Sequence, residues 1–285
     1  MIKINLKIIC TLALVLWLPI STGHADEFRT LNFDLFDAAK EADLQEVKVL
    51  IEKGASVKAR NRFGNSAFIY AVKSGDIAVV EYLLQQGSAI NLVNTRGRNA
   101  VMEAAKAGNY EMVKYLLENA AEVNHYSLKK VTALSEAVFA ERADVVELLL
   151  KHEAMVDLVD NTGKTALIYA CASGNVDIIT LLLSKTENID TQYGHDLTVL
   201  MWAAGYGQKE AIDLLIGAGS DINLQDDRGR TALMMAVSAG HINVVKQLLD
   251  NGAVSELADN DGKSAYDLAV EANNVNMTKL LSSTS

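Results

Sequence analysis

Two short apolar patterns alternate along this chain. One places apolar residues at i, i+3, i+6 and i+7, as in Ile77, Val80, Leu83 and Leu84 and again in Ile242, Val245, Leu248 and Leu249, which is the stripe of a short amphipathic helix. Its closing pair recurs every 33 residues, at Leu50 and Ile51, Leu83 and Leu84, Leu116 and Leu117, Leu149 and Leu150, Leu182 and Leu183, Leu215 and Ile216, and Leu248 and Leu249. Ahead of each stripe lies a second apolar segment built around one alanine: Ala71, Ala104, Ala137, Ala170, Ala203, Ala236 and Ala269. Each 33-residue unit therefore predicts two helices, and neither can bury its apolar face without a neighbouring unit.

The polar residues between the patterns mark where the helices begin and end. Ser66, Asn99, Thr132, Thr165, Thr198, Thr231 and Ser264 occupy one column, and each can accept a backbone N–H as a helix N-cap. Gly75, Gly108, Gly174, Gly207 and Gly240 follow the first helix, where a left-handed residue is easily placed. Two residues ahead of the caps, a turn column reads Gly64, Gly97, Lys130, Gly163, Asp196, Gly229 and Gly262. Lys130, Asp196 and Glu141, which stands where the first helix of its unit would end in glycine, are expected to weaken the fourth and sixth copies if these positions need positive φ.

Gly163, Thr165, Leu167 and Ala170, and again Gly229, Thr231, Leu233 and Ala236, followed by Gly240, His241, Leu248, Leu249, Gly252 and Ala253, resemble the ankyrin repeat, whose period is 33 residues. The resemblance runs from about Leu31 to the C-terminus. It departs from the family where Ile69, Met102, Ser135, Ile168, Met201 and Met234 replace a frequent histidine. It implies an all-α ankyrin-repeat solenoid of eight helix-turn-helix units joined by short hairpin-like turns, with an N-terminal capping repeat over 26–60, six internal repeats over 61–258 and a C-terminal capping repeat over 259–285. Thr278 and Ser282, in place of apolar residues of the last second helix, suit an end that must face water.

The first 25 residues follow another logic. Lys3 and Lys7 precede an apolar run from Ile8 to Ile20, and Gly23 and Ala25 supply small side chains ahead of Asp26 and Glu27, the layout of a secretory signal peptide. At ~1.5 Å per residue the run reaches roughly 20 Å, short of the about 30 Å of a bilayer core. An uncleaved anchor is the alternative; a lipid on Cys10 is disfavoured because no small-residue box precedes it. Cleavage after Ala25 takes the formal charge from −10 to −12, which argues against nucleic acid as a partner. It also leaves Cys171 as the one cysteine, so no internal disulfide is available. The expected location is the periplasm or outside the cell, with no membrane insertion once the signal is removed.

Candidate chemistry is sparse. His125, His152, His195 and His241 sit in different units without metal-ligand spacing, so neither a metal nor a cofactor is expected. Cys171 reads as a packed side chain, His241 as a structural one, and Asp160, Asp226 and Asp259 as turn-formers. Glu103, Glu136 and His125 are the only cluster that could serve an enzyme.

In ankyrin proteins the turn tips and the exposed positions of the inner helices bind partners. Carried over by column, the resemblance implies that Arg62, Phe63, Arg96, Arg98, Arg228 and Arg230 at the tips, and Tyr70, Lys73, Lys106, Phe139, Tyr169, Trp202 and Tyr206 on the inner helices, contact a partner. Basic tips on an acidic protein point to a protein partner with an acidic patch, and aromatic and arginine side chains are common interface anchors. The centre is expected at Arg62, Phe63, Tyr70, Arg96, Arg98 and Lys106, with Tyr169, Trp202 and Tyr206 as the second candidate. The expected function is non-catalytic protein binding by a chain that is monomeric when unbound; an effector acting on host proteins is the alternative.

Overall fold

The computed structural model describes residues 22–282, with side chains from Phe28 onward. The basic start and apolar run of the expected signal segment, and Cys10 within it, lie outside the described residues. Among the described residues there are sixteen helices and no extended strand, and the chain divides into two compact units at Ser88 and Ala89.

The first unit holds α1 (Thr22–Lys40), α2 (Leu44–Glu52), α3 (Ala67–Ser74) and α4 (Ile77–Gln85). α1 packs on α3, and α2 packs on α4. The repeat resemblance starts at about Leu31, but α1 begins well before it. Leu35, Phe36, Ala38 and Ala39 form its buried face.

The second unit holds α5 (Ala100–Lys106), α6 (Tyr110–Glu118), α7 (Ala133–Phe139), α8 (Ala143–Lys151), α9 (Ala166–Ser173), α10 (Val176–Leu183), α11 (Val199–Tyr206), α12 (Lys209–Gly217), α13 (Ala232–Ser238), α14 (Ile242–Asp250), α15 (Ala265–Glu271) and α16 (Val275–Ser282). The odd-numbered helices stack on one another in chain order and the even-numbered helices do likewise. The architecture is that of an all-helical repeat solenoid.

The cap column behaves as its chemistry requires. Ser66, Asn99, Thr132, Thr165, Thr198, Thr231 and Ser264 each accept the backbone N–H three residues on, an arrangement worth about 1 kcal/mol at each helix start. The second-helix stripe is shifted from the expected one. Val79, Val80 and Leu83 are buried in α4, and Val244, Val245 and Leu248 in α14, whereas Ile242 is 38% exposed. Position i falls on the first helical residue, at the solvent-facing edge of the turn, so the apolar face starts two residues later. At the C-terminal end Thr278 turns its hydroxyl onto the Asn274 carbonyl and Ser282 is exposed.

The turns are made by side chains as much as by backbone. Asn61, Asn94, Asp160, Asp226 and Asp259 each accept N–H bonds from residues two and four positions on, which confirms the aspartates as turn-formers. Both columns do need positive φ: Lys130 stands at 57° and Asp196 at 56° in the turn column, and Glu141 at 54° at the end of α7, a left-handed conformation that L side chains adopt at a cost.

Carboxamides then weld neighbouring copies. Asn124 donates to the Glu153 carbonyl at 3.0 Å and accepts from Met155 N–H at 2.9 Å. Three copies later in the same column, Asn223 makes the same pair with Gly252 and Val254. Gln192 reaches the Gln225 carbonyl and Gln225 reaches the Ala258 carbonyl, both at 3.0 Å.

Candidate partner-binding face

The tip of each turn and the outward positions of each odd-numbered helix are the places the stack leaves free, and an aromatic strip runs along them in the second unit. Phe139, at the C-terminal end of α7, is 51% exposed and lies 4.5 Å from the Tyr169 ring on α9. Trp202 and Tyr206, one turn apart on α11, stack with centroids 5.9 Å apart. Lys164, from the turn before α9, joins the two pairs. Its ammonium lies 5.6 Å from the Tyr169 ring and 4.6 Å from the Trp202 ring, and it donates to the Tyr206 hydroxyl at 3.3 Å. Cation–π contacts of this kind hold a long side chain in place over the rings.

Two polar features fix the strip. The Tyr169 hydroxyl donates to Asp160 Oδ2 at 2.5 Å, tying the inner helix to its own turn. Burial pushes the Asp160 carboxyl up, but bonds from Tyr169 and Thr162 outweigh it and hold the group below its usual range. The Trp202 indole N–H is buried with no acceptor among the described residues.

Arg98 departs from its expected place among the free tip residues. Its half-buried guanidinium lies between Glu103 and Glu136, bonded to Glu103 Oε1 at 2.7 Å and also to Glu136 Oε1. Burial pushes the Arg98 pKa down, but the hydrogen bonds with Glu136 and Glu103 more than compensate and leave it above the usual arginine value. The physical reason is reach: from the tip of its copy the side chain meets Glu103 on α5 and spans to Glu136 on α7 of the next copy, and the two carboxylates require a counter-ion. This also accounts for Glu103 and Glu136 as structural ions. His125 turns its Nε2 to the Gly97 carbonyl at 2.7 Å. Cys171 is fully buried, which pushes its thiol up to about 12. Among the described residues no group of three His, Cys, Asp or Glu side chains is placed to hold a metal ion.

The other expected residues divide between the two units. Arg62, Phe63 and Lys73 are exposed and Tyr70 half-buried in the first unit, where Tyr70 accepts from Asn61 Nδ2 at 2.8 Å. In the second unit Arg96, Lys106 and Arg228 are exposed, while Arg230 is drawn back to Asp226 at 3.4 Å. Lys164 is the residue whose role in the strip was missed: its turn position is visible in the sequence, but the reach of its ammonium to Trp202, in the following copy, is not.

A model of tandem ankyrin repeats matches the chain over residues 35–127, 125–193 and 200–285. No curated protein matches it. Ankyrin repeats generally mediate protein–protein interaction, and the family is typically non-catalytic. No helix among the described residues is long and apolar enough to cross a membrane. With helix pairs in 33-residue register along both units and family matches over most of its length, the chain belongs to the ankyrin-repeat family.

Proposed function

We propose that this chain is exported and acts in the periplasm, or outside the cell, as a non-catalytic module that binds a partner protein through the strip of Phe139, Tyr169, Trp202 and Tyr206. The strip itself carries the reading. Four aromatic side chains in successive copies are bridged by one lysine. Aromatic anchors supply most of the energy of a typical interface once water is excluded around them. A partner carboxylate entering beside Lys164 would meet its ammonium. The exposed tip residues Arg96, Lys129, Lys130 and Arg228 would speed the approach of an acidic partner.

The experiment compares proteins captured from an osmotic-shock extract by the wild type and by a Phe139→Ala/Trp202→Ala variant. One binding species is expected with the wild type and at least about tenfold less with the variant, at a melting temperature within a few degrees of the wild type. Equal capture by both would place the interface elsewhere. Export is tested by intact mass, with Asp26 expected at the mature N-terminus; a retained Met1 would overturn cleavage and location together.

A further inference from the structure

We infer that the first unit carries a second binding site, a cleft for an acidic peptide segment with large apolar side chains. The cleft lies between the N-terminal part of α1 and the turn before α3, and encloses about 790 Å³, within the size range of ligand sites. Its walls are Phe28, Phe33 and Phe63 with Arg29, Arg60 and Arg62, and no carboxylate lines it among the described residues.

The three rings are 47–51% exposed, unusual for phenylalanine. They are nevertheless held. Phe33 packs edge-on to Phe36 at 5.9 Å, and Phe36 in turn lies 5.9 Å from Tyr70. Phe28 lies against the turn after α2, where a β-carbon on Gly54 would come within 3.3 Å of its ring.

The polar lining is committed in a selective way. Asn32 accepts the Ser56 N–H at 2.7 Å, and Asn61 is used by its own turn and by Tyr70. The guanidiniums have no ion-pair partner among the described residues. Arg29 lies 5.9 Å from the Phe33 ring and Arg62 lies 4.7 Å from the Phe63 ring. Arginine stacked on an aromatic face is restrained yet keeps its planar edge of donors free for a carboxylate.

Charge complementarity selects the occupant. Among the described residues three cations and no anion face the cleft of a chain whose net charge is −10, so the site favours a ligand of the opposite sign to its own lining. The rings add a demand for apolar surface. Stacking rings beside arginine would also suit single-stranded nucleic acid, but a polyanion extending past a single cleft meets the repulsion of the acidic remainder. A short peptide alternating carboxylates with apolar side chains meets both demands. This site is independent of the Trp202 strip, so either reading can fail alone.

The test is fluorescence anisotropy of the purified protein with a fluorescein-labelled hexapeptide of alternating glutamate and phenylalanine. Saturable binding is expected, weakened at least about tenfold by Arg29→Glu/Arg62→Glu and by higher salt, and about fivefold or more by Phe33→Ser. Trp202→Ala should leave it unchanged. A peptide with lysine replacing glutamate, and one with serine replacing phenylalanine, should each bind at least about tenfold more weakly. Circular dichroism melts keep the variants interpretable, since the substituted side chains are exposed; an Arg62→Gln variant, expected to lose affinity to a smaller degree, serves if the double reversal melts early. Equal affinity for the lysine peptide, tighter binding of a twelve-nucleotide oligothymidylate, unchanged affinity of the variants, or no binding up to about 1 mM peptide would each overturn the inference.

Discussion

The imidazole of His241 occupies the space that a β-carbon on Gly207 would need. Such a carbon would lie 2.7 Å from Nδ1, while Nε2 bonds the Gly205 carbonyl at 3.0 Å. The same clasp joins Gln208 to Gly174 and Arg142 to Gly108. These three side chains sit at the N-cap of α14, α12 and α8, and none caps its own helix. Where the column holds Asn109, Asn175 or Asn274, the side chain caps its own helix instead. A residue in this column thus serves either its own helix or the preceding copy.

Gly207→Ala should cost distinctly more than Gly240→Ala. Both glycines have positive φ, 76° and 78°, but only Gly207 has a neighbour in the way. Left-handed strain alone gives about 1–2 kcal/mol, and displacement of His241 should add to it for Gly207. Urea denaturation of the two variants decides, and equal costs would mean that the imidazole yields freely.

Arg98→Met should cost about 3–5 kcal/mol, because it strands two buried carboxylates. Adding Glu103→Gln and Glu136→Gln should recover most of that loss, since amides need no counter-ion. If the triple variant were no more stable than the single one, packing of the arginine stem rather than charge would account for the loss.

Asp160 gives the strip a dependence on acid. Its folded pKa lies below the ordinary carboxylate value, so its contribution to stability is complete above about pH 4 and is lost as pH falls through the folded value. Tyr169→Phe removes the strongest of its donors. The stability gap between wild type and variant should be widest near neutrality and close at low pH; a gap that is constant down to pH 2 would separate the tyrosine hydroxyl from the titration.

Cys171 should resist alkylation in the native protein. With its thiol buried and pushed up to about 12, almost no thiolate exists at pH 8. Labelling with iodoacetamide should then follow opening of α9 and accelerate sharply in denaturant. Rapid modification without denaturant would show that α9 opens readily.

Lys130, Glu141 and Asp196 hold positive φ without being glycine. Replacing each by glycine should stabilise by up to about 1 kcal/mol, and amide exchange should be faster in these copies than around Gly163 and Gly229. Uniform protection across the copies would mean that the backbone strain is relieved locally.

Much of the fold could be read because its determinants are close in sequence. A cap such as Thr165 acts on Ile168, and a turn-former such as Asp226 acts on Arg228 and Arg230, all within one loop. The aromatic strip was legible for the same reason, since outward positions follow from the column. Arg98 was misplaced because its partner Glu136 is 38 residues away, and a tip column does not say which way a long side chain leans. The clasp column was equally opaque: Gln208 and Asn175 look interchangeable until the glycine beneath one of them is seen. Phe28 and Arg29 went unnoticed because they precede the repeat register, where no column assigned them a role.

The carboxamide welds have a consequence for how this chain can change length. Asn124 and Asn223 each bond the backbone of the copy that follows, about 30 residues ahead, and they use carbonyl and N–H groups that every copy offers whatever its side chains. Excising one whole 33-residue period inside the second unit would therefore present each weld with an equivalent acceptor, whereas losing a single residue would misalign the weld that spans it. Insertions and deletions in this gene should accordingly be tolerated in multiples of 99 nucleotides and selected against in most other sizes.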